Sequence, residues 1–423
     1  MRRILHYLLK FIASAVVRKY HPLIIGITGS VGKTSTRNAI EAVLRPSFRV
    51  RASIKSYNNE LGVPLTILGE HTHGKNIPEW LLLFARSFRL LLGNAPHYPQ
   101  ILILEMGASK PGDLAYLTSM APPTIGILTG IGEAHMEFFK TPSALLEEKK
   151  HIIACPPPQG LALVNRDDER IWALRAGTRA NLVSVGQHLK ADFSARELEV
   201  VYEEVEGNPV PLGMRMKMQR KGSLVPISQK GVLGEGHMMS ALFALAVGEY
   251  MGLMLREVTT RLKTYIPPPG RMRLVPGIKQ TLLLDDSYNA SPKACRMALE
   301  VLQKLRMPGG AEKWAILGDM KELGALTREL HYEIGKSAAG SNLDWLITVG
   351  ECGAMISSAA QENGMEEDRV FHFNTPQEAG KFVQKKLQPH DVVLIKASRA
   401  MHFEKITQEL MAEPLRAQEL LVS

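Results

Sequence analysis

A chain of 423 residues is too long for one ordinary hydrophobic core, so two or three domains are expected; with 45% hydrophobic and 22% charged residues it is soluble and globular, neither disordered nor fibrous. A formal net charge of +9 favours anionic ligands or surfaces without choosing among nucleotide phosphates, an acidic substrate, anionic lipid and nucleic acid. Three widely spaced cysteines, Cys155, Cys295 and Cys352, exclude a disulfide framework or a thiolate zinc site as the organising feature and point to a reducing compartment.

In chain order, Met1–Tyr20 comes first, with Ile4, Leu5, Leu8, Leu9, Ile12, Val16 and Val17 at helical spacing among Arg2, Arg3, Lys10, Arg18 and Lys19. It reads as a helix docked on the body of the protein, or as a basic amphipathic helix on the inner membrane surface. It lacks a small-residue cleavage site, and no segment is long and apolar enough to span a bilayer. Leu23–Thr28 is an apolar strand, followed by a glycine-containing turn and a helical pattern through Ala39, Ile40, Val43 and Leu44. Trp80–Leu92, interrupted by Arg86 and Arg89, has the same two readings as the N-terminus. Ile101–Leu104, Ile125–Leu128 and Leu161–Val164 are further short apolar strands, and such strands alternating with helices argue for a parallel sheet covered on both faces. From about Val200 to Val232 shorter alternating runs predict antiparallel strands, and Leu242–Val247 sits in a buried helix. Pro267-Pro268-Pro269-Gly270 cannot continue a helix and is the expected interdomain hinge. Beyond it, Leu282–Leu284, Trp314–Leu317, Trp345–Val349 and Val392–Ile395 predict a second doubly wound domain.

The turn after the first strand reads Thr28-Gly29-Ser30-Val31-Gly32-Lys33-Thr34-Ser35. Glycines let backbone N–H groups turn around phosphate oxygens, and the start of the following helix adds partial positive charge. Lys33 can reach the outer phosphates and the Thr34 hydroxyl can ligate Mg²⁺. A strict P-loop has its first glycine where this chain has Ile27; the bland alternative is a glycine-rich turn with an incidental lysine. Glu105, at the carboxyl end of a predicted parallel strand, can hold Mg²⁺ beside the phosphates. His135 lies in a loop after another strand and Lys149 in Glu147-Glu148-Lys149-Lys150; alone, these read as a structural histidine and a solvated helix face. The expected fold is α/β: residues 1–22 a basic helix, 23–268 a P-loop parallel-sheet ATPase domain with an antiparallel subsheet, 269–423 a Rossmann-like α/β domain.

Together, Thr28–Thr36, Tyr57-Asn58-Asn59-Glu60-Leu61-Gly62-Val63-Pro64, Glu105-Met106-Gly107 and the His135-to-Lys149 segment resemble the Mur ligases of bacterial cell-wall synthesis. Asp285-Asp286-Ser287-Tyr288-Asn289-Ala290-Ser291-Pro292, Gly318-Asp319-Met320-Lys321-Glu322-Leu323-Gly324 followed by His331, and Lys396-Ala397-Ser398-Arg399 are similar to the second half of the branch that adds D-alanyl-D-alanine. The resemblance implies an ATP-dependent amide ligase working through an acyl phosphate, with two Mg²⁺ ions. It implies that Gly29, Ser30, Gly32, Lys33, Thr34 and Ser35 hold phosphate; that Thr34 and Glu105 hold the first ion; and that His135 and a carbamylated Lys149 hold the second. Arg271 would contact phosphates, Ser240, Asp286 and Asn289 the nucleotide, and Asn58, Asn59, Lys396 and Arg399 the substrates.

The chain departs from the family pattern in three places. No counterpart of the UDP-binding N-terminal domain is found, so a lipid-linked or simpler acceptor is an expectation beside a muramoyl-peptide one. Gly236-His237-Met238-Met239-Ser240 stands where the family has His-Asn-x-x-Asn, with Ser240 read in place of an asparagine and weaker nucleotide contact expected. His151 replaces an acidic residue two after the modified lysine. Competing readings are a folylpolyglutamate synthase-like ligase and a non-catalytic nucleotide-binding homologue. A cytoplasmic monomer is expected, acting on small-molecule substrates and not on nucleic acid, with peripheral contact to the inner membrane through the N-terminal helix.

Overall fold

The computed structural model describes residues 2–54, 57–74, 76–132, 136–139 and 141–422. Short apolar runs, most ending in glycine or a polar turn, pair into a nine-stranded sheet ordered β2-β3-β1-β4-β5-β6-β7-β8-β9. The strands are β1 Leu23–Thr28, β2 Val50–Ala52, β3 Ile101–Glu105, β4 Ile125–Leu128, β5 Leu161–Asn165, β6 Asn181–Gly186, β7 Phe193–Val205, β8 Asn208–Arg220 and β9 Ser223–Lys230. β1 lies between β3 and β4 and runs parallel to both, which makes its carboxyl end the point where strand order reverses. Loops diverge at such a point and leave a crevice in which ligands collect. Pairing stays parallel up to the start of β7, where Val185 faces Phe193, and β7, β8 and β9 then form an antiparallel meander. The antiparallel region expected from about Val200 therefore begins earlier. Phe193, Ser194 and Ala195 are all buried, and consecutive burial hides the alternation that marks a strand with one wet face.

The helices over this sheet are α1 Arg2–Tyr20, α2 Lys33–Leu44, α3 Gly62–Leu68, α4 Ile77–Leu92, α5 Asp113–Met120, α6 Met136–Phe139, α7 Pro142–Ala154, α8 Glu169–Ala173, α9 Glu235–Tyr250 and α10 Leu255–Leu262. Side chains alternate across β1, and the alternation sorts the layers. Ile25 and Ile27 join the core with α2, α9 and α10, whereas Ile24 joins α1, α3, α4, α5 and α7. The docked reading of α1 thus holds for one of its faces: Leu9, Ile12, Ala13 and Val16 are buried, the three larger side chains contributing about 1.5–3 kcal/mol each when fully covered. Helix α7 comes so close to β4 that a Cβ on Gly126 would collide with the Ile152 carbonyl oxygen. That approach carries Lys149 into electrostatic reach of the loop after β1.

A six-stranded sheet follows: β10 Arg273–Pro276, β11 Leu282–Asp285, β12 Lys313–Gly318, β13 Trp345–Val349, β14 Val370–Phe373 and β15 Val392–Lys396. Its order is β10-β11-β15-β12-β13-β14, and only the β10–β11 pair is antiparallel. Helices α11 Pro292–Lys304, α12 Thr327–Ala339 and α13 Gly353–Glu362 cover one face, α14 Pro376–Lys386 and α15 Glu404–Leu410 the other. Residues 267–270 lie between α10 and β10, outside any helix or strand. Lys293 of α11 reaches back to the first sheet, donating to Ile131 O at 3.2 Å and pairing with Asp168 at 3.4 Å.

Candidate active site

The turn after β1 has a backbone that only glycine supports at two points. Gly29 has φ +151° and Gly32 φ +82°, and a Cβ on Gly29 would collide with Thr129 Oγ1. The turn is pinned to the loop after β4: Ser30 N donates to Gly130 O at 2.7 Å and Thr129 Oγ1 donates to Val31 O at 2.5 Å. Gly32 caps α2 without a side-chain hydrogen bond, so the first N–H groups of the helix are left for a ligand. Lys33 folds back to donate to Gly29 O at 2.5 Å. Burial pulls its ammonium down to about 8, Glu105 opposing the shift and Arg271 adding to it. Ser35 is buried beside the Tyr265 hydroxyl.

Glu105 stands at the end of β3, almost fully buried. Thr34 Oγ1 donates to Glu105 Oε2 at 3.2 Å, and Arg37 pairs with Glu105 Oε1 at 2.7 Å. Ser53 Oγ accepts from Glu105 N at 3.0 Å and fixes the strand end. A hydroxyl and a carboxylate side by side are the hard oxygen donors a divalent cation takes. Arg37 was missed by sequence reasoning because a cation on a helix usually reads as solvated. Its spacing of four from Lys33, one turn further on the same face, was the available signal.

Lys149 is 1% exposed, on the inner side of α7. Burial above all, and then the nearby Lys33, lower its pKa to about 7, with Glu148 opposing. The solvated-face reading of Glu147-Glu148-Lys149-Lys150 fails for the middle pair: Glu148 is also buried and accepts from Gly112 N at 2.9 Å and Leu114 N at 2.7 Å, at the start of α5. His135 lies outside the described residues.

A hydrogen-bonded relay runs from Tyr265 through His237 to Arg271. The Tyr265 hydroxyl, beside Ser35, lies 2.9 Å from His237 Nδ1, and His237 Nε2 lies 2.6 Å from Arg271 O. A carbonyl can only accept, so Nε2 carries the proton and Nδ1 accepts from the tyrosine. Burial lowers the His237 pKa to about 4, which keeps the ring neutral in this role. The Arg271 guanidinium lies over the Tyr288 ring, 4.1 Å from its centroid, and its Nε is buried without a hydrogen-bond partner among the described residues. Buried donors are nearly always satisfied, so this one points to a missing acceptor. Arg271, Lys33, Thr34, Glu105 and Lys149 form one electrostatic neighbourhood.

The remaining residues are placed as follows. Lys396, 2% exposed, pairs with Asp286 Oδ2 at 2.5 Å and donates to Asn289 O at 3.1 Å, so the ends of β11 and β15 are tied together. Arg399 pairs with Glu404 at 2.9 Å and joins none of these groups. Asp319, His331 and Cys352 bring ligand atoms within 4.8 Å of one another, yet His331 accepts from Met320 N and donates to Thr327 O and has no lone pair left for a metal. Asn58 accepts from Gly107 N at 2.7 Å through its backbone, and both asparagines line a cavity of about 280 Å³ with Gly107, Lys110, Asp113 and Tyr116. The Asn59 side chain accepts from Leu61 N and Gly62 N, shaping the turn into α3.

The reading of Ser240 needs correction. Its buried hydroxyl donates to Gly236 O at 2.8 Å and accepts from Thr36 Oγ1 at 3.2 Å, both within the packing of α9 on α2. Counted from His237, the second asparagine of the pattern falls on Ala241, which is fully buried.

Comparison with known proteins adds to this geometry. The family described as Mur ligase middle domain matches residues 27–77 and 85–248, and that described as Mur ligase, glutamate ligase domain matches residues 270–399. The chain is 29% identical over 407 residues to the UDP-N-acetylmuramoyl-tripeptide–D-alanyl-D-alanine ligase of Bacillus subtilis, covering 96% of this chain and 80% of that one. It is 30% identical to the enzyme of the same name from Mycobacterium leprae, covering 92% and 74%. The crystal structure of the MurF ligase of Thermotoga maritima in complex with ADP superposes with a TM-score of 0.78 at 26% identity, over 98% of this chain and 84% of that one.

Proposed function

The chain belongs to the Mur ligase family, ATP-dependent enzymes that form a C–N bond, and we propose that it joins D-alanyl-D-alanine to the terminal carboxylate of a muramoyl-tripeptide-type acceptor in peptidoglycan precursor synthesis. One observation carries the reading: relatives named for that reaction align along 92–96% of the chain, through both sheets and hence through both sides of the crevice. In this reaction an oxygen of the acceptor carboxylate attacks the γ-phosphorus of ATP, and ADP leaves. The free amine of the dipeptide then attacks the acyl phosphate carbon, inorganic phosphate leaves, and the nitrogen loses a proton.

The chain's own groups fit the demands of that chemistry. Lys33 and the N–H groups at the start of α2 would take the outer phosphates, and Arg271 has in its buried Nε a donor ready for another phosphate oxygen. Thr34 and Glu105 would hold one Mg²⁺, and His135 with a carbamylated Lys149 a second. Such ions neutralise charge on the transferring phosphoryl group. Asp286 and Asn289 would contact the nucleotide, and Asn58, Asn59, Lys396 and Arg399 the substrates. Carbamylation suits Lys149 on two counts. With a pKa of about 7 much of it is free amine at neutral pH, the form that adds CO₂ and releases a proton. The product is an anion beside Lys33, which turns a repulsion into an attraction. To the same reading belong a cytoplasmic monomer and contact of α1 with the inner membrane.

ADP-release assays with UDP-linked muramoyl tripeptide or a folate as acceptor, each with D-alanyl-D-alanine, L-glutamate or no amine, test this. Dipeptide-dependent turnover is expected. Turnover with glutamate on a folate, or nucleotide binding with no amine-dependent ADP release, would contradict it.

A further inference from the structure

Helices α1 and α4, of 19 and 16 residues, carry nine of the nineteen large hydrophobic side chains exposed among the described residues. On α1 they are Ile4, Tyr7, Leu8 and Phe11, at spacings of three and four and so on one face, opposite the face that packs on the core. Tyr7 is 71% exposed and Phe11 56%. Helix α4 repeats the arrangement, with Leu83 and Ser87 turned inward and Ile77, Leu81, Phe88 and Leu92 outward. The two helices touch: Tyr20 Oη donates to Leu90 O at 2.7 Å and the Lys19 ammonium to Leu91 O at 2.7 Å. Single exposed apolar residues are ordinary, but two stripes on adjoining helices call for an occupant.

Charge identifies it. Residues 2–20 and 70–100 contain eight Lys and Arg against Glu70 and Glu79, a net of +6 out of the chain's +9. Glu70 is bound to Arg86, while Arg18 and Arg89 stand exposed. A second copy of the chain would bring like charges together, whereas an anionic bilayer matches both the apolar stripes and the cations around them. No described helix is long and apolar enough to cross a membrane, so these two would lie on it. Resting on the membrane contact given to α1 above, we propose that the outer faces of α1 and α4 form a single platform that docks on an anionic lipid bilayer. The platform adjoins the Asn58–Asn59 cavity, because Tyr116 of its lining donates to His6 O at 3.4 Å and lies under Lys10, so docking brings that cavity to the lipid headgroups.

Flotation of the full chain with phosphatidylcholine vesicles, with and without roughly a third phosphatidylglycerol, tests this. The protein should float with the anionic vesicles, less so at high salt, and stay behind with the neutral ones. The pairs Tyr7→Ser/Phe11→Ser and Leu81→Ser/Phe88→Ser should each weaken binding roughly tenfold with an unchanged melting temperature, since every residue replaced is exposed. Absence of flotation overturns the platform, as does a dimer by sedimentation that either pair abolishes. If only the α1 pair matters, the contact of α1 survives and the joint platform falls. Acceptor-dependent ADP release in solution, measured on the same preparations, reports on the ligase reading separately.

Discussion

At the carboxyl edge of the nine-stranded sheet Lys33 and Arg37 face Glu105, with Lys149 and, from the segment before β10, Arg271 in electrostatic reach of Lys33 and with Glu148 turned to the start of α5; at the edge of the six-stranded sheet each named cation has its own carboxylate. There Lys396 pairs with Asp286, Arg399 with Glu404 and Lys321 with Asp319. The first edge holds two lysines whose pKa values burial has brought to about 8 and about 7, a strain that an anion would relieve. The second is balanced as it stands. The first edge thus carries cations short of counter-charge, and the second has its named charges paired.

The difference can be broken from either side. Lys33→Ala should reduce ADP release on the order of 10³-fold while leaving the melting temperature nearly unchanged, since it removes a charge the fold does not need. Lys149→Ala should cost on the order of 10² and be partly restored by short carboxylic acids, which supply the missing oxygens; full activity in that variant would remove the carbamate. On the balanced edge stability should fail first. Lys396→Met leaves Asp286 without its partner and should destabilise by about 3 kcal/mol in urea unfolding, with much of the loss recovered in the double variant with Asp286→Asn. No recovery would mean that the pair does not act as one.

Two smaller effects sharpen the comparison. His237 is neutral when folded down to about pH 4, whereas in the unfolded chain it takes up a proton near its ordinary 6.5. Between those values only the unfolded state binds the proton, so stability falls as pH drops through this window and levels off below it, by roughly 3 kcal/mol in all. His237→Gln should flatten that part of the stability–pH curve by one proton; an unchanged slope would contradict the buried relay. Asn59→Ala loses the two backbone contacts at the entry to α3 and should cost about 1 kcal/mol, visible as a lower urea midpoint.

What the sequence made legible was local. The strand, Gly29–Gly32 and Lys33 follow one another within a dozen residues, and the apolar runs of both sheets are contiguous, so periodicity and turn chemistry suffice to find them. The relay from Tyr265 through His237 to Arg271 joins two distant stretches of chain, and no spacing announces it. Ser240 stands one position before the second asparagine of the family pattern, which falls on Ala241, and a one-residue step on a helix turns a side chain by about 100°. Lys149 sits in a run of charges that looks solvated until Gly126 lets α7 press against β4. For α1 the docked and the membrane-surface readings seemed exclusive, yet the helix buries one apolar face and bares another.

The most direct test of the proposed site is the ¹³C NMR spectrum of the full chain in ¹³C-labelled bicarbonate at pH 7.5 to 8. A protein-bound carbamate resonance is expected that disappears in Lys149→Ala and fades as the pH is taken below about 7, where the amine regains its proton. An enzyme that turns over dipeptide at full rate with no such resonance would contradict the account.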